Sequence, residues 1–315
     1  MTRLTGHVPE EMAGMRLDQV LAELFSDYSR SKLQTWVKAG RVTVNGQMLK
    51  PKDKLEGGET VELDAEPEVV LDQCEAEAIP LDIIYEDDAL LIVNKPAGLV
   101  VHPAAGNWSG TLQNALLNHH PVLATLPRAG IVHRIDKETS GLLMVAKTLQ
   151  AHNSLILQLQ DRTVHREYLA ITKGRIIAGG TIDEPIGRHP TDRKRFAVRM
   201  TGKPAVTHYR VVERFSRHTL IRVKLETGRT HQIRVHMAHI HFPLVGDQVY
   251  GGRFQLPPDC CERLEQELRN FKRQALHAEK LGISHPVTGE YCEWEQPMPE
   301  DMSRLLAALY ENDRQ

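Results

Sequence analysis

The chain has 315 residues, 41% hydrophobic and 25% charged, the balance of a soluble globular protein with enough length for one large and one small domain. A formal net charge of -2 excludes a globally basic nucleic-acid binder, so any RNA role must show in local charge. No run approaches the ~18 apolar residues of a membrane span, residues 1–20 lack the apolar core of a secretion signal, and Cys74, Cys260, Cys261 and Cys292 form no C-x-x-C pair. A cytoplasmic protein with reduced thiols and no membrane partner is expected.

Residues 15–63 read as a compact unit. Leu17, Val20, Leu21, Leu24 and Phe25 fall at helical spacing. Ser29 is placed to cap a second helix carrying Leu33, Trp36 and Val37, and Gly40 to end it. Val42-Thr43-Val44 then runs into Asn45-Gly46, a hairpin signal. From Tyr28 to Lys54 the basic residues are Arg30, Lys32, Lys38, Arg41, Lys50, Lys52 and Lys54, against a single acidic residue, Asp53. A basic run alone also suits a solvated helix face. Two short helices feeding a hairpin with the phrase R-V-x-V-N-G resemble the S4-type RNA-binding fold, in which the second helix and the hairpin present basic side chains to an RNA backbone.

Residues 56–77 carry nine acidic side chains, from Glu56 to Glu77, and no basic one. The stretch 65–78 reads as an exposed acidic linker that stays off RNA, dividing a domain over 1–64 from one over 79–315. Beyond it, strands are expected at 83–85, 90–93, 142–146, 167–172, 205–212 and 220–225. Helices are expected at 111–118, 149–161, 230–240, 262–271 and 302–310. Strands and helices do not alternate strictly, which predicts an α+β domain on a mixed, mostly antiparallel sheet.

The segment from Gly130 to Gly141 passes from a β-branched run through His133-Arg134-Ile135-Asp136-Lys137-Glu138 to Thr139-Ser140-Gly141, with an apolar strand following. It reads either as a solvated charged turn or as a site held firmly at both ends. Arg134 and Lys137 flank Asp136 and favour an ionised carboxylate. In the helix over 230–240, Ile233, Met237 and Ile240 share a core face, and Arg234 projects beside it, where a charge needs a partner. Arg188, Arg193, Lys194, Arg195, Arg199 and Lys203 form a second basic stretch, read as a mobile loop with Phe196 free to stack on a base. Two rivals fare poorly. His231, His236, His239 and His241 lack H-E-x-x-H spacing and an acidic companion, and the glycines of 174–180 lack a G-K-[ST] ending.

The segment at 133–141 resembles the H-R-L-D-x-x-[ST]-[ST]-G motif of the RluA family of RNA pseudouridine synthases, with Ile135 in place of leucine. Matching phrases follow in the family's order: Asn94-Lys95-Pro96-Ala97-Gly98, Arg166-Glu167-Tyr168-Leu169-Ala170, Glu226–His236, His241–Gly251 and Arg273–Ala278. Finer likeness at 25–31, 127–134 and 202–209 is to the RluD subgroup. The resemblance implies a pseudouridine synthase catalytic domain behind an S4-type module, acting on 23S ribosomal RNA, or on the large ribosomal subunit, at the helix 69 stem-loop and supporting subunit assembly. It also implies a monomer without cofactor or metal. It assigns Asp136 as the catalytic carboxylate, Tyr168 as the tyrosine beside the uracil, Arg234 as the partner of the aspartate, and Arg134 as the residue that replaces the flipped uridine in the stack. Arg30, Lys32, Lys38, Arg41, Arg193, Lys194 and Arg195 are the expected RNA contacts. A non-catalytic RNA-binding assembly factor on the same scaffold is the alternative.

Overall fold

In the computed structural model the described residues are all but 1, 26–27, 29, 66–73, 104–106, 193–194, 259 and 315; the side chains of 2–3, 30–32 and 65 are also outside the description. The chain divides into two units, Met1–Leu71 and Asp72–Gln315.

In the first unit β1 (Thr2–His7), α1 (Leu17–Leu24), α2 (Arg30–Lys38), β2 (Val42–Val44) and β3 (Thr60–Ala65) follow in order. The helical spacing read from the sequence is realised: Leu17, Val20, Leu21 and Leu33 are fully buried, with Trp36 and Val37 nearly so. The second helix closes at Gly40, where the Arg41 N–H donates to Trp36 O and the Gly40 N–H to Val37 O, the paired bonds of a helix stop. Ser29, its expected cap, lies outside the described residues. Val44 and Gln47 exchange both backbone bonds across Asn45-Gly46, so the turn is present, yet the ladder partner of β2 is β3, in the antiparallel order β1-β3-β2. The strand at β3 departs from the sequence expectation. Val61 and Leu63 are fully buried while Glu62 and Asp64 alternate with them, so the acidity there is the solvent face of a strand. Of the expected linker, residues 66–73 are outside the description; Glu75 and Glu77 are fastened to the second unit through Asn114, whose Nδ2 donates to Glu75 O and whose O accepts from the Glu77 N–H.

The second unit contains β4 (Ile83–Glu86), β5 (Leu90–Lys95), α3 (Leu112–His119), β6 (Ser140–Ala146), α4 (Leu149–Gln160), β7 (His165–Lys173), β8 (Gly180–Asp183), β9 (Ile186–Arg188), β10 (Phe196–Val198), β11 (Val206–Arg214), β12 (His218–Leu225), α5 (Gln232–His239), α6 (Glu262–Asn270), β13 (Leu276–Ser284), β14 (Tyr291–Glu295) and α7 (Glu300–Arg314). Nine strands form one sheet in the order β4-β5-β6-β13-β7-β12-β11-β8, with β14 on β13. Every pairing is antiparallel except β6 with β13. This is the expected mixed α+β sheet. Both faces are covered. Leu91 and Val93 of β5 join α3 and α5 on one side, while Leu90 and Ile92 join α4 on the other; α6 and α7 cover Leu169, Ile171 and Leu220 on that second side.

The strands β13 and β14 have no counterpart in the expected elements. Polar residues disguise β13. His277 pairs with Ser140 (3.0 Å), and Glu279 takes a bidentate bond from Arg222 (2.9 Å twice). Where β6 and β13 run side by side, Gly141 has φ +114° and a Cβ there would stand 2.2 Å from Ala278 O. Only glycine lets the two backbones meet. Gly141→Ala is therefore expected to cost about 3 kcal/mol or more, against about 1 for Gly289→Ala, whose added Cβ would meet nothing within 4 Å. Urea unfolding of the two variants checks this, and equal losses would contradict it.

Candidate active site

Asp136 sits in a loop leading from α3 into β6. Ile131 makes one bridge to Val145, and residues 132–136 belong to no ladder, so the β-branched run before the aspartate is a tethered segment rather than a strand. His133 Nε2 accepts the Met144 N–H (3.1 Å), and burial, with Arg166 nearby, lowers its pKa. Ile135 is buried in the core. The Thr139 N–H donates to Asp136 O (3.0 Å) and closes the turn.

Two buried cations clamp the carbonyls that follow Asp136. Lys95, 1% exposed, donates from Nζ to Pro96 O (2.7 Å), Leu99 O (2.9 Å) and Lys137 O (3.0 Å). Burial pushes its pKa down to about 7, with Glu138 and Asp136 opposing. Three carbonyl acceptors need three N–H donors, which only the ammonium has, and this geometry favours the charged form. Arg273 donates to Glu138 O (3.2 Å) and is held by both oxygens of Asp301 (2.6 and 2.8 Å) at the start of α7. Gln274 reaches Thr139 Oγ1 (3.1 Å).

Opposite the loop, the start of α5 is fixed by Gln232. Its Oε1 accepts from Thr227 Oγ1 (2.7 Å) and the Arg229 N–H (3.0 Å), and its Nε2 donates to Val206 O and Thr207 Oγ1 (2.9 Å each). This presents Arg234, 98 residues beyond Asp136, with Nη1 2.9 Å from Asp136 Oδ2. The pairing inferred from the sequence is there. A second carboxylate holds the same guanidinium: Nε donates to Asp247 Oδ2 (2.7 Å) and Nη2 to Asp247 Oδ1 (3.0 Å). Asp247 is itself fixed by the N–H groups of Val249 and Tyr250 (2.8 and 3.0 Å). Burial would lower the arginine's pKa, but Asp247 and Asp136 outweigh it and hold it above the usual range. Burial likewise opposes ionisation of Asp247, and Arg234 with the two amides outweighs it. Asp136 is thus held through one oxygen. Oδ1 accepts no hydrogen bond among the described residues; the nearest ion-pair atom is His231 Nε2 at 3.9 Å.

The cleft over Asp136 is open to solvent on one side and has an apolar wall of Ile135, Leu225, Ile233 and Leu276. Tyr168 lines it from β7, 6% exposed. Burial raises its pKa, with Arg166 opposing, so it stands as a neutral phenol at neutral pH. Arg134 lines the same cleft and is exposed. The side chains of Arg30 and Lys32, and all of Arg193 and Lys194, lie outside the described residues. Lys38 is exposed and Arg41 half-buried in the first unit. Arg195 turns back, its Cζ 5.5 Å from the Tyr250 ring centre.

The basic stretch at 188–203 corrects the loop expectation. β9 and β10 pair antiparallel, and Phe196 is engaged: its N–H donates to Tyr250 Oη (2.9 Å) and its ring meets His231 edge-on at 5.8 Å. The histidines do not converge. His231 bonds Tyr250 Oη (2.8 Å), His236 lies between Thr207 and Glu184 O, and among the described residues no three His, Cys, Asp or Glu side chains are grouped as metal ligands. Lys95, Arg166, Asp247, Tyr250 and Arg273 were given no role by sequence reasoning. Each stood inside a matched phrase, and the available signal was chemical. A buried guanidinium carries five donors, more than Asp136 alone can satisfy.

The RNA pseudouridylate synthase family profile matches residues 89–239, and the S4 domain profile matches residues 15–61. The ribosomal large subunit pseudouridine synthase D of Pseudomonas aeruginosa (strain PAO1) is 57% identical over 309 residues, covering 98% of this chain and 96% of that protein. The protein of the same name in Escherichia coli K12 is 54% identical over 308 residues, covering 98% and 94%. The chain belongs to the RNA pseudouridylate synthase family. Among solved structures, this synthase resembles human RNA pseudouridylate synthase domain containing 1, with TM-score 0.54 and 26% identity over 75% of this chain and 96% of that one. Its fold is also that of human RNA pseudouridylate synthase domain containing 4, with TM-score 0.57 and 24% identity over 72% and 92%.

Removing Asp247's carboxylate leaves two donors of the buried Arg234 guanidinium without their charged acceptor. Asp247→Asn in the synthase is expected to cost about 3 kcal/mol at neutral pH. The folded-state pKa of Asp247 is depressed, so its contribution is present above the carboxylate's ordinary 3.8 and is lost as the pH falls through the lower folded value. Urea midpoints of wild type and variant should therefore differ fully at pH 6 and converge only below about pH 4. A gap already closing between pH 7 and 5 contradicts the assignment.

Proposed function

We propose that this synthase isomerises uridines to pseudouridine in large-subunit ribosomal RNA, with Asp136 as its catalytic carboxylate. The observation that carries the reading is the aspartate held by Arg234 through Oδ2 at the mouth of an apolar cleft, with Oδ1 left without a hydrogen-bond donor among the described residues. The reaction moves the glycosidic bond from N1 to C5 and is redox-neutral. It needs a carboxylate that either attacks the nucleoside or removes a sugar proton, and a closed apolar pocket that keeps the detached base. The names of the relatives support large-subunit ribosomal RNA as substrate, and the sequence likeness to the RluD subgroup favours helix 69.

The remaining roles follow from position. Arg234 positions Asp136 through Oδ2. Tyr168 walls the uracil, and as a neutral phenol it takes the C5 proton only by giving up its own. Arg134 is a planar, exposed cation at the cleft, suited to fill the gap left by a flipped base. We assign residues 1–64 as the S4 domain, 65–78 as a linker and 79–315 as the catalytic domain. Lys38 and Arg41, with Arg30 and Lys32, bind phosphate from the first domain, and Arg193, Lys194 and Arg195 bind it from the β9–β10 hairpin. The protein acts as a cytoplasmic monomer in ribosome biogenesis.

Ribosomal RNA carrying 5-tritiated uridine tests the activity. Wild type releases tritium, and Asp136→Asn releases none above background. Equal release from both would remove Asp136 from the chemistry, and no release from wild type on naked RNA or large subunits would overturn the function. Arg134→Ala is expected to keep RNA affinity within about threefold while slowing turnover at least tenfold, since flipping costs a few kcal/mol; filter binding and single-turnover rates separate the two.

A further inference from the structure

Arg166 stands out among the buried cations. It precedes Tyr168 by two residues on β7, so both side chains leave the same face of the sheet, and both line the cleft. It is 7% exposed. Arg234 and Arg273, equally buried, are held by carboxylates. Among the described residues Arg166 has no carboxylate within 4.0 Å. Its buried Nε has no hydrogen-bond partner, and its Nη2 reaches an acceptor only at 3.5 Å, on Glu226 O, the outer edge of a hydrogen bond. The fold makes room for it nonetheless. A Cβ at Gly228 would lie 2.9 Å from Nη1. The nearby ring of His133 has its pKa lowered by burial and by Arg166 itself, so it adds no second positive charge beside the guanidinium.

A buried guanidinium with no carboxylate in contact is costly unless a negative charge arrives. On the reading proposed above, the phosphates of a flipped nucleotide stay with the RNA backbone at the open side, and the base occupies the interior beside Tyr168. Uracil is neutral until the N1–C1′ bond breaks. Asp136 displaces the base from C1′ or removes a proton from the neighbouring sugar carbon, and in either route the electron pair of the N1–C1′ bond remains on the base and spreads over N1, O2 and O4. We propose that Arg166 binds an oxygen of the detached uracil and carries its negative charge until the C5–C1′ bond forms. As that bond forms the pair returns to C1′ and Asp136 is released or gives back the sugar proton; one proton leaves C5 and one is taken up at N1, so the base ends neutral and Arg166 has only donated hydrogen bonds. A fork of several N–H donors can pass from one oxygen to the other while the base turns, which a single fixed donor cannot.

The test uses the full chain with Arg166→Gln and Arg166→Lys in single-turnover assays on large-subunit ribosomal RNA, with RNA binding measured separately. Arg166→Gln is expected to slow pseudouridine formation about a hundredfold with Kd within about threefold, and Arg166→Lys to fall between it and wild type. With 5-fluorouridine at the target site the base leaves as a less basic anion. The loss caused by Arg166→Gln, read as consumption of the target nucleotide, should then shrink about tenfold. A defect confined to Kd would make Arg166 a phosphate contact and overturn the proposal, as would equal losses on uridine and 5-fluorouridine. If Arg166→Gln does not fold, Arg166→Lys carries the same comparison. Wild type inactive on the same RNA would instead sink the functional reading itself.

Discussion

The chemistry of this protein depends on one buried guanidinium shared by two carboxylates. Arg234 could not be carried into the interior by Asp136 alone, because one oxygen of one carboxylate would leave most of its donors unmet. Asp247 takes two of them, and the backbone of Val249 and Tyr250 fixes Asp247 in turn. With its charge balanced from behind, the arginine can offer its remaining side to Asp136 without drawing in both of its oxygens. The result is a carboxylate fixed in direction with one oxygen left for reaction, the preorganisation that catalysis by positioned charge requires.

The same logic places the loop. Asp136 follows an irregular segment that has a single bridge to the sheet, so neighbouring strands do not hold it. Lys95 and Arg273 do this by binding the carbonyls of residues 137 and 138. Lys95 is satisfied by backbone oxygens, and Arg273 ties the loop to α7 through Asp301. Residues far apart in the chain thereby serve one turn, and their matched phrases make physical sense as supports of the site.

Much of this was legible in the sequence, for identifiable reasons. Elements with a clear period were found where they were expected: α1 from Leu17, Val20 and Leu21, β5 and β6 from their continuous apolar runs, and α5 from Ile233 and Met237. Arg234 was recognisable as a charge that needed a partner because it flanks a core stripe. What was missed was masked by polarity. Glu62 and Asp64 hid β3, and His277 and Glu279 hid β13, since burial of a polar residue depends on partners far away in sequence: Ser140 for one, Arg222 for the other. Phe196 was misjudged for the opposite reason, an aromatic in a basic stretch whose partners, His231 and Tyr250, lie more than thirty residues on. Asp247 lay within a matched phrase, but nothing local distinguishes a structural aspartate from a solvated one.

The central claim is that Asp136, poised by Arg234, converts uridine to pseudouridine in large-subunit ribosomal RNA. The most direct measurement is a site-by-site pseudouridine map of that RNA from cells lacking this protein, complemented with wild type or with Asp136→Asn. The account predicts that wild type restores pseudouridine in a single stem-loop and that the variant, though folded and still bound to RNA, restores none. Restoration by both, or an unchanged map in the cells lacking the protein, would contradict it.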